Sequence, residues 1–96
     1  MKVVWSPLAE TRAVEACDYI AATSPAAARE WLAGLLERVG ALRRFPNRGR
    51  EVPEIARRNY REILHAPYRV IYRVDRAQLV ILTLRHQRRT WDTGEI

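Results

Sequence analysis

One cysteine, one lysine, one phenylalanine and four glycines are all that the 96 residues hold of these types. Cys17 alone cannot build a disulfide framework, so the fold rests on packing, and a reducing cytoplasm is the expected setting. The four glycines make neither a P-loop nor a dinucleotide fingerprint. No Gly-x-Ser-x-Gly elbow occurs, and Ser6 and Ser24 each stand before a proline at the head of an apolar periodic segment, where helix capping explains them. His65 and His86 belong to no cysteine or carboxylate cluster with metal-ligand spacing, so neither a metal nor a cofactor is expected. A signal peptide and a run of about 18 apolar residues are both missing, so no membrane partner is expected.

What is present fits one small domain spanning 1–96, with no repeat, linker or low-complexity tract. A chain of this size buries roughly 65% of its unfolded surface, enough for a modest core. The formal charge of +6 is unevenly placed. Residues 1–42 carry four basic groups against five acids, and residues 43–96 carry thirteen arginines against six. A C-terminal half at +7 points to an anionic partner, nucleic acid or an acidic protein segment, with arginine usage in an alanine-rich chain as the plainer alternative.

The stretch from Tyr60 to Arg89 reads as three strands. In the middle one Tyr68, Val70, Tyr72 and Val74 alternate with Arg69, Ile71 and Arg73, which sends the two sets to opposite faces. Asp75 to Gln78 is a polar reversal, and Leu79 to Leu84 is a β-rich run suited to an inner strand covered on both sides. Upstream, Lys2 to Trp5 is a short strand. Ser6-Pro7 and Thr23-Ser24-Pro25 start two helices, the first running to about Ala22 with Cys17 on its apolar stripe. The second has a stripe of Ala28, Leu32, Leu35, Val39 and Leu42, broadened by Trp31 and Leu36. Phe45-Pro46 ends it, and Asn47 to Asn59 is a basic connection long enough to be a candidate functional surface. The expected class is α+β, in the order β-α-α-β-β-β, with an αα-hairpin on one face of a small antiparallel-rich sheet. The other face is expected to stay partly bare, bearing Arg69 and Arg73 with Arg61 and Arg85 nearby.

Such parts suit metal-free RNA cleavage, which needs a base for the 2′-hydroxyl, arginines for phosphate charge and an acid for the leaving oxygen. Each part has a plainer reading. For Arg69 and Arg73 it is solvation or pairing with Glu62, and for His86 one structural hydrogen bond. Trp91 either docks on a partner or closes the end of the core.

The opening VVWSPLAE, the connection FPNRGREVPEI and the ending YREILHAPYRVIYRVD…VILTLRHQRR together resemble the RelE/ParE superfamily of small bacterial toxins from toxin–antitoxin operons. The matching features span nearly the whole chain in the right order. The resemblance implies the same β-α-α-β-β-β fold and a neighbouring antitoxin that neutralises the toxin. It leaves two activities open. RelE-like members cleave mRNA in the ribosomal A site, and in that reading His86, Arg61 and Arg85 are the catalytic candidates. ParE-like members poison DNA gyrase without an RNase set. Here the lysine-rich loop of the RNases is missing, no tyrosine follows residue 72, and the ending RHQRR looks more like the gyrase-directed branch. An inactive relative that only binds antitoxin is the third possibility. The surface expected to meet a partner comprises Arg61, Arg69, Ile71, Arg73, Arg85, Arg88, Arg89 and Trp91.

Overall fold

The computed structural model describes residues 1–91 and 93–96. Strand β1 (Lys2–Trp5) leads into helices α1 (Pro7–Ala21) and α2 (Pro25–Ala41), followed by β2 (Arg50–Glu51), β3 (Tyr60–His65), β4 (Tyr68–Val74) and β5 (Gln78–His86). A 3₁₀ turn over Thr93–Glu95 comes last. The five strands form one sheet in the order β1-β5-β4-β3-β2, with β1 parallel to β5 and every other pair antiparallel. β5 is the inner strand its apolar run demands, and Leu79, Val80, Ile81, Thr83 and Leu84 are all buried.

Both helices start where the serine–proline pairs put them. The Ser6 hydroxyl accepts from the Ala9 N–H at 3.0 Å and donates to the Leu82 carbonyl at 2.8 Å, so the cap also fixes α1 to β5. Ser24 caps α2 through the Ala27 N–H at 3.1 Å. The hairpin lays Ala9, Ala13, Leu35, Val39 and Leu42 on Ile63, Val70, Tyr72, Leu79, Ile81 and Leu84, forming the main core. Leu32 and Leu36 depart from the expected stripe, being 36% and 53% exposed. The buried arc of α2 centres on Leu35, and Leu36 lies about 100° round the helix from it, beyond what the sheet can cover. Cys17 is half-buried, and burial first, then the Asp18 charge, pushes its thiol above the ordinary value.

The second face of the sheet is not bare. Val52, Ile71 and Trp91 form a smaller core there, joined by Ile55, Tyr60, Leu82 and Ile96. The long basic connection supplies part of this cover. After pairing β2 with β3 it turns on hydrogen bonds from the Ile55 and Ala56 N–H groups to the Val52 carbonyl. The segment after β5 supplies the rest through Trp91, which closes this core. Neither segment shows periodicity in sequence, because each contributes only one or two apolar side chains.

The entry to β2 is locked from the main core. The Tyr72 hydroxyl, on a fully buried ring, donates to the Pro46 carbonyl at 2.7 Å and accepts the Gly49 N–H at 2.9 Å. A Cβ on Gly49 would fall 2.5 Å from the Glu62 carbonyl oxygen and 2.6 Å from the Tyr72 hydroxyl, so only glycine passes here.

Candidate functional site

Strand alternation and register decide where each candidate residue goes. Arg69 and Arg73 do share the face opposite Tyr68, Val70 and Tyr72, but both are engaged within the chain. Arg69 lies only 13% exposed between carboxylates and an indole. Its Nη1 and Nη2 donate to Glu54 at 2.9 and 2.8 Å, and its Nε and Nη2 donate to the buried Glu62. Arg50 completes the cluster through Nη2 to Glu62 at 3.0 Å, and the Trp91 ring centroid lies 5.3 Å from the Arg69 guanidinium carbon. These carboxylates hold Arg69 protonated well above its ordinary value, while its hydrogen bonds hold Glu54 below the usual carboxylate range. Arg73 donates from Nε to Asp75 at 2.9 Å. Ile71 is fully buried and Trp91 is 9% exposed, so as folded neither presents a surface to a partner.

Arg61 supports the loop before β2. Its Nη1 donates to the Gly49 carbonyl at 2.7 Å, and its Nε is buried with no hydrogen-bond partner among the described residues. Arg85 donates to Glu95 at 3.3 Å and to the Thr90 carbonyl at 2.9 Å. Glu95 also takes Arg12 at 3.0 Å and the Thr83 hydroxyl at 3.2 Å, which pins the C-terminal turn to α1 and β5. The His86 ring packs edge-on against Tyr68, centroids 5.4 Å apart, and its Nδ1 accepts the Arg88 N–H at 3.2 Å.

Of these three candidates, Arg61 does not join the other two. Arg85 and His86 are consecutive on β5 and leave it on opposite faces, yet both reach the cleft at the end of the strand. Arg61 lies on β3, two strands away, where it is registered with Tyr72, while Arg85 is registered with Arg69. The offset of three residues and two strand spacings separates the Arg61 and Arg85 backbones by roughly 14 Å.

One cleft does open beside β5. It measures about 490 Å³ and lies between α1 and the end of the strand, with Tyr19, Tyr68 and Leu84 on its apolar side. Arg12, Arg85, Arg88 and Arg89 line its polar side with His86, opposed by Glu15. Arg12 and Tyr19 could not be foreseen as part of it. They lie on the flank of an ordinary amphipathic helix, and only the docking of α1 on β5 brings them beside Arg88 and Arg89. A second cleft of about 430 Å³ on the other face is occupied at its base by the Arg69, Glu54, Glu62 and Arg50 cluster. Among the described residues no group of histidine, cysteine and carboxylate side chains is placed to hold a metal ion, and no helix is long and apolar enough to cross a membrane.

The fold recurs in solved structures. One titled "Chromosomal ParDE TA system from P. aeruginosa" superposes with a TM-score of 0.73 over 90% of this chain and 95% of that one, at 22% identity. Among curated proteins none matches the chain. The family model described as the ParE toxin of the type II toxin–antitoxin system parDE matches residues 3–91, from the first strand to the indole that closes the second core. With nearly its whole length matched, the chain belongs to the ParE toxin family of type II toxin–antitoxin systems.

Proposed function

We propose that this chain arrests growth in the cytoplasm by binding and poisoning DNA gyrase, with no catalysis of its own, and that a cognate antitoxin neutralises it. Beyond family membership, the observation that carries the reading is that Arg61 stands two strands from Arg85 and His86 and that all three are engaged within the chain. General acid–base catalysis needs its groups within hydrogen-bond reach of one reacting phosphate. Here one arginine braces a loop, another is held by Glu95, and the histidine ring rests on Tyr68. A ribosome-dependent mRNA endoribonuclease is the reading that these internal engagements and the separation of Arg61 disfavour.

The antitoxin is assigned to the cleft beside β5. Its apolar floor suits an inserted aliphatic or aromatic anchor, and Arg88 and Arg89, both exposed, suit acidic flanks. Charge pairing of this kind mainly speeds association, so the association rate should fall with salt and with Arg88→Ala and Arg89→Ala, while dissociation changes less.

The test is purified protein with gyrase and plasmid DNA. The expected result is loss of supercoiling with accumulation of linear DNA, reversed by the antitoxin. In cells, induction should produce filaments and DNA breaks while translation at first continues. Cleaved mRNA with rapid loss of translation and no DNA damage would replace the gyrase reading with the ribonuclease one.

A further inference from the structure

Seven of the cations that enter no ion pair among the described residues gather at one end of the molecule, away from the proposed antitoxin cleft and its own unpaired Arg88 and Arg89. The sheet register defines that end. Tyr60 at the start of β3 lies beside Arg73, Val74 beside Leu79, and Lys2 beside Gln78. The β2–β3 loop carries Arg57 and Arg58, and the Val74 N–H donates to the Asn59 carbonyl at 2.8 Å, closing that loop onto the end of β4. The β4–β5 turn carries Arg76. The segment after α2 carries Arg43, Arg44 and Arg48, and the Tyr72 and Arg61 hydrogen bonds to Pro46 and Asn47 hold it against the same end. These six arginines and Lys2 are all exposed, and none enters an ion pair among the described residues. Against them stand Glu51 and Asp75, the latter already held by Arg73.

We propose that this end binds the phosphates of double-stranded DNA independently of sequence. The cations come from four separate segments and spread over a broad end of the fold, as contact with a wide, rigid polyanion requires. Single-stranded nucleic acid calls for a groove that tracks the backbone and bare aromatic rings for the bases. Neither cleft includes any of these seven residues. The two aromatic rings at this end already carry guanidinium groups, Arg48 at 4.8 Å from the Phe45 centroid and Arg57 at 5.8 Å from that of Tyr60. Arginine also suits the role, since its planar fork meets phosphate oxygens in pairs. Two base-covered rings and an ungrooved cationic end fit duplex phosphates. This inference does not depend on gyrase, although a protein seated on a DNA-bound enzyme would gain from it.

The experiment is binding of the purified chain alone to a labelled duplex of arbitrary sequence, titrated at several salt concentrations. If about four or five of the cations engage at once, log K against log salt should have a slope near −4, a loss of a few hundred-fold between 50 and 200 mM. Arg43→Ala with Arg44→Ala, or Arg57→Ala with Arg58→Ala, should each reduce the slope by up to about 1.8. The corresponding lysine pairs should preserve it, which separates charge from any effect on folding. Arg88→Ala with Arg89→Ala, at the other end of β5, should leave it unchanged. Binding indifferent to salt, or lost only with the Arg88 and Arg89 pair, would overturn the assignment. Tighter binding of single-stranded RNA than of the duplex would overturn it equally.

Discussion

Gly49→Ala should be among the most damaging single-methyl additions this chain can suffer. The new Cβ would sit 2.5 Å from the Glu62 carbonyl oxygen, 2.9 Å from its carbon, and 2.6 Å from the Tyr72 hydroxyl. Two of these three atoms are backbone of β3, which is paired on both sides, so they cannot rotate aside as a side chain could. Relief requires β2 to move off β3. Overpacking of this kind costs about 1–3 kcal/mol. Displacing Gly49 also breaks its N–H bond to Tyr72, a further loss of about 1 kcal/mol. The expected destabilisation is about 2–4 kcal/mol, which in a domain of this size lowers Tm by roughly 10–25 °C. Urea and thermal unfolding of the variant beside wild type measure it. Tyr72→Phe supplies the control. It removes one clashing atom but leaves the Glu62 carbonyl in place, so the double variant should be no more stable than Gly49→Ala alone. A Gly49→Ala protein within 0.5 kcal/mol of wild type, or rescue by Tyr72→Phe, would refute the backbone clash.

Three further outcomes follow from the same geometry. His86→Ala should leave toxicity intact in a growth assay, because the ring only packs on Tyr68 and accepts one N–H; loss of toxicity in a folded variant would restore its catalytic candidacy. Arg69→Ala should cost about 3 kcal/mol in urea unfolding, since Glu62, 6% exposed, would keep only Arg50 as its partner. The Glu54 carboxyl is held below the ordinary 4.5, so its contribution is present above that pH and lost as pH falls through the lower folded value. Stability measured against pH should therefore be level down to about 5 and then fall, with a shallower fall in Arg69→Ala.

Period-two alternation in Tyr68–Val74 and the β-rich run after Gln78 were enough to place the two central strands and their faces. The serine–proline pairs placed both helix starts, because capping depends only on residues next to one another. What sequence could not reveal depended on meetings across the fold. Leu36 fits the helical stripe by spacing, yet whether a flank residue is covered depends on how wide a neighbour lies beneath it. Arg69 looked available for a partner, and Glu62 could be suggested as its counter-ion from the alternation alone. Glu54 and Trp91 complete its enclosure from loops with no periodic signal. The cleft beside β5 was half legible. Arg85, His86, Arg88 and Arg89 are contiguous with the strand, whereas Arg12 and Tyr19 enter only because α1 docks there.

Trp91 tests whether the second core holds up the fold or merely shields it. The indole is buried on Val52 and Ile71 and lies over Arg69, and its Nε1 is buried without a hydrogen-bond partner among the described residues. Trp91→Ala removes the cover and the cation–π contact together, and should cost about 3–5 kcal/mol. Trp91→Phe should cost far less than that. It leaves a smaller ring over Arg69 and also deletes an N–H that burial had left unpaired, a group whose desolvation by itself costs about 1–3 kcal/mol. The cavity from the lost ring and the relief of that orphan donor oppose one another, so the phenylalanine variant should fall within about 1.5 kcal/mol of wild type. Equal losses in the two variants would mean that the indole N–H has a partner and that the polar contact, rather than the apolar cover, holds this end of the chain down. Two mild losses would mean that Val52, Ile55 and Ile71 shield the second face without it.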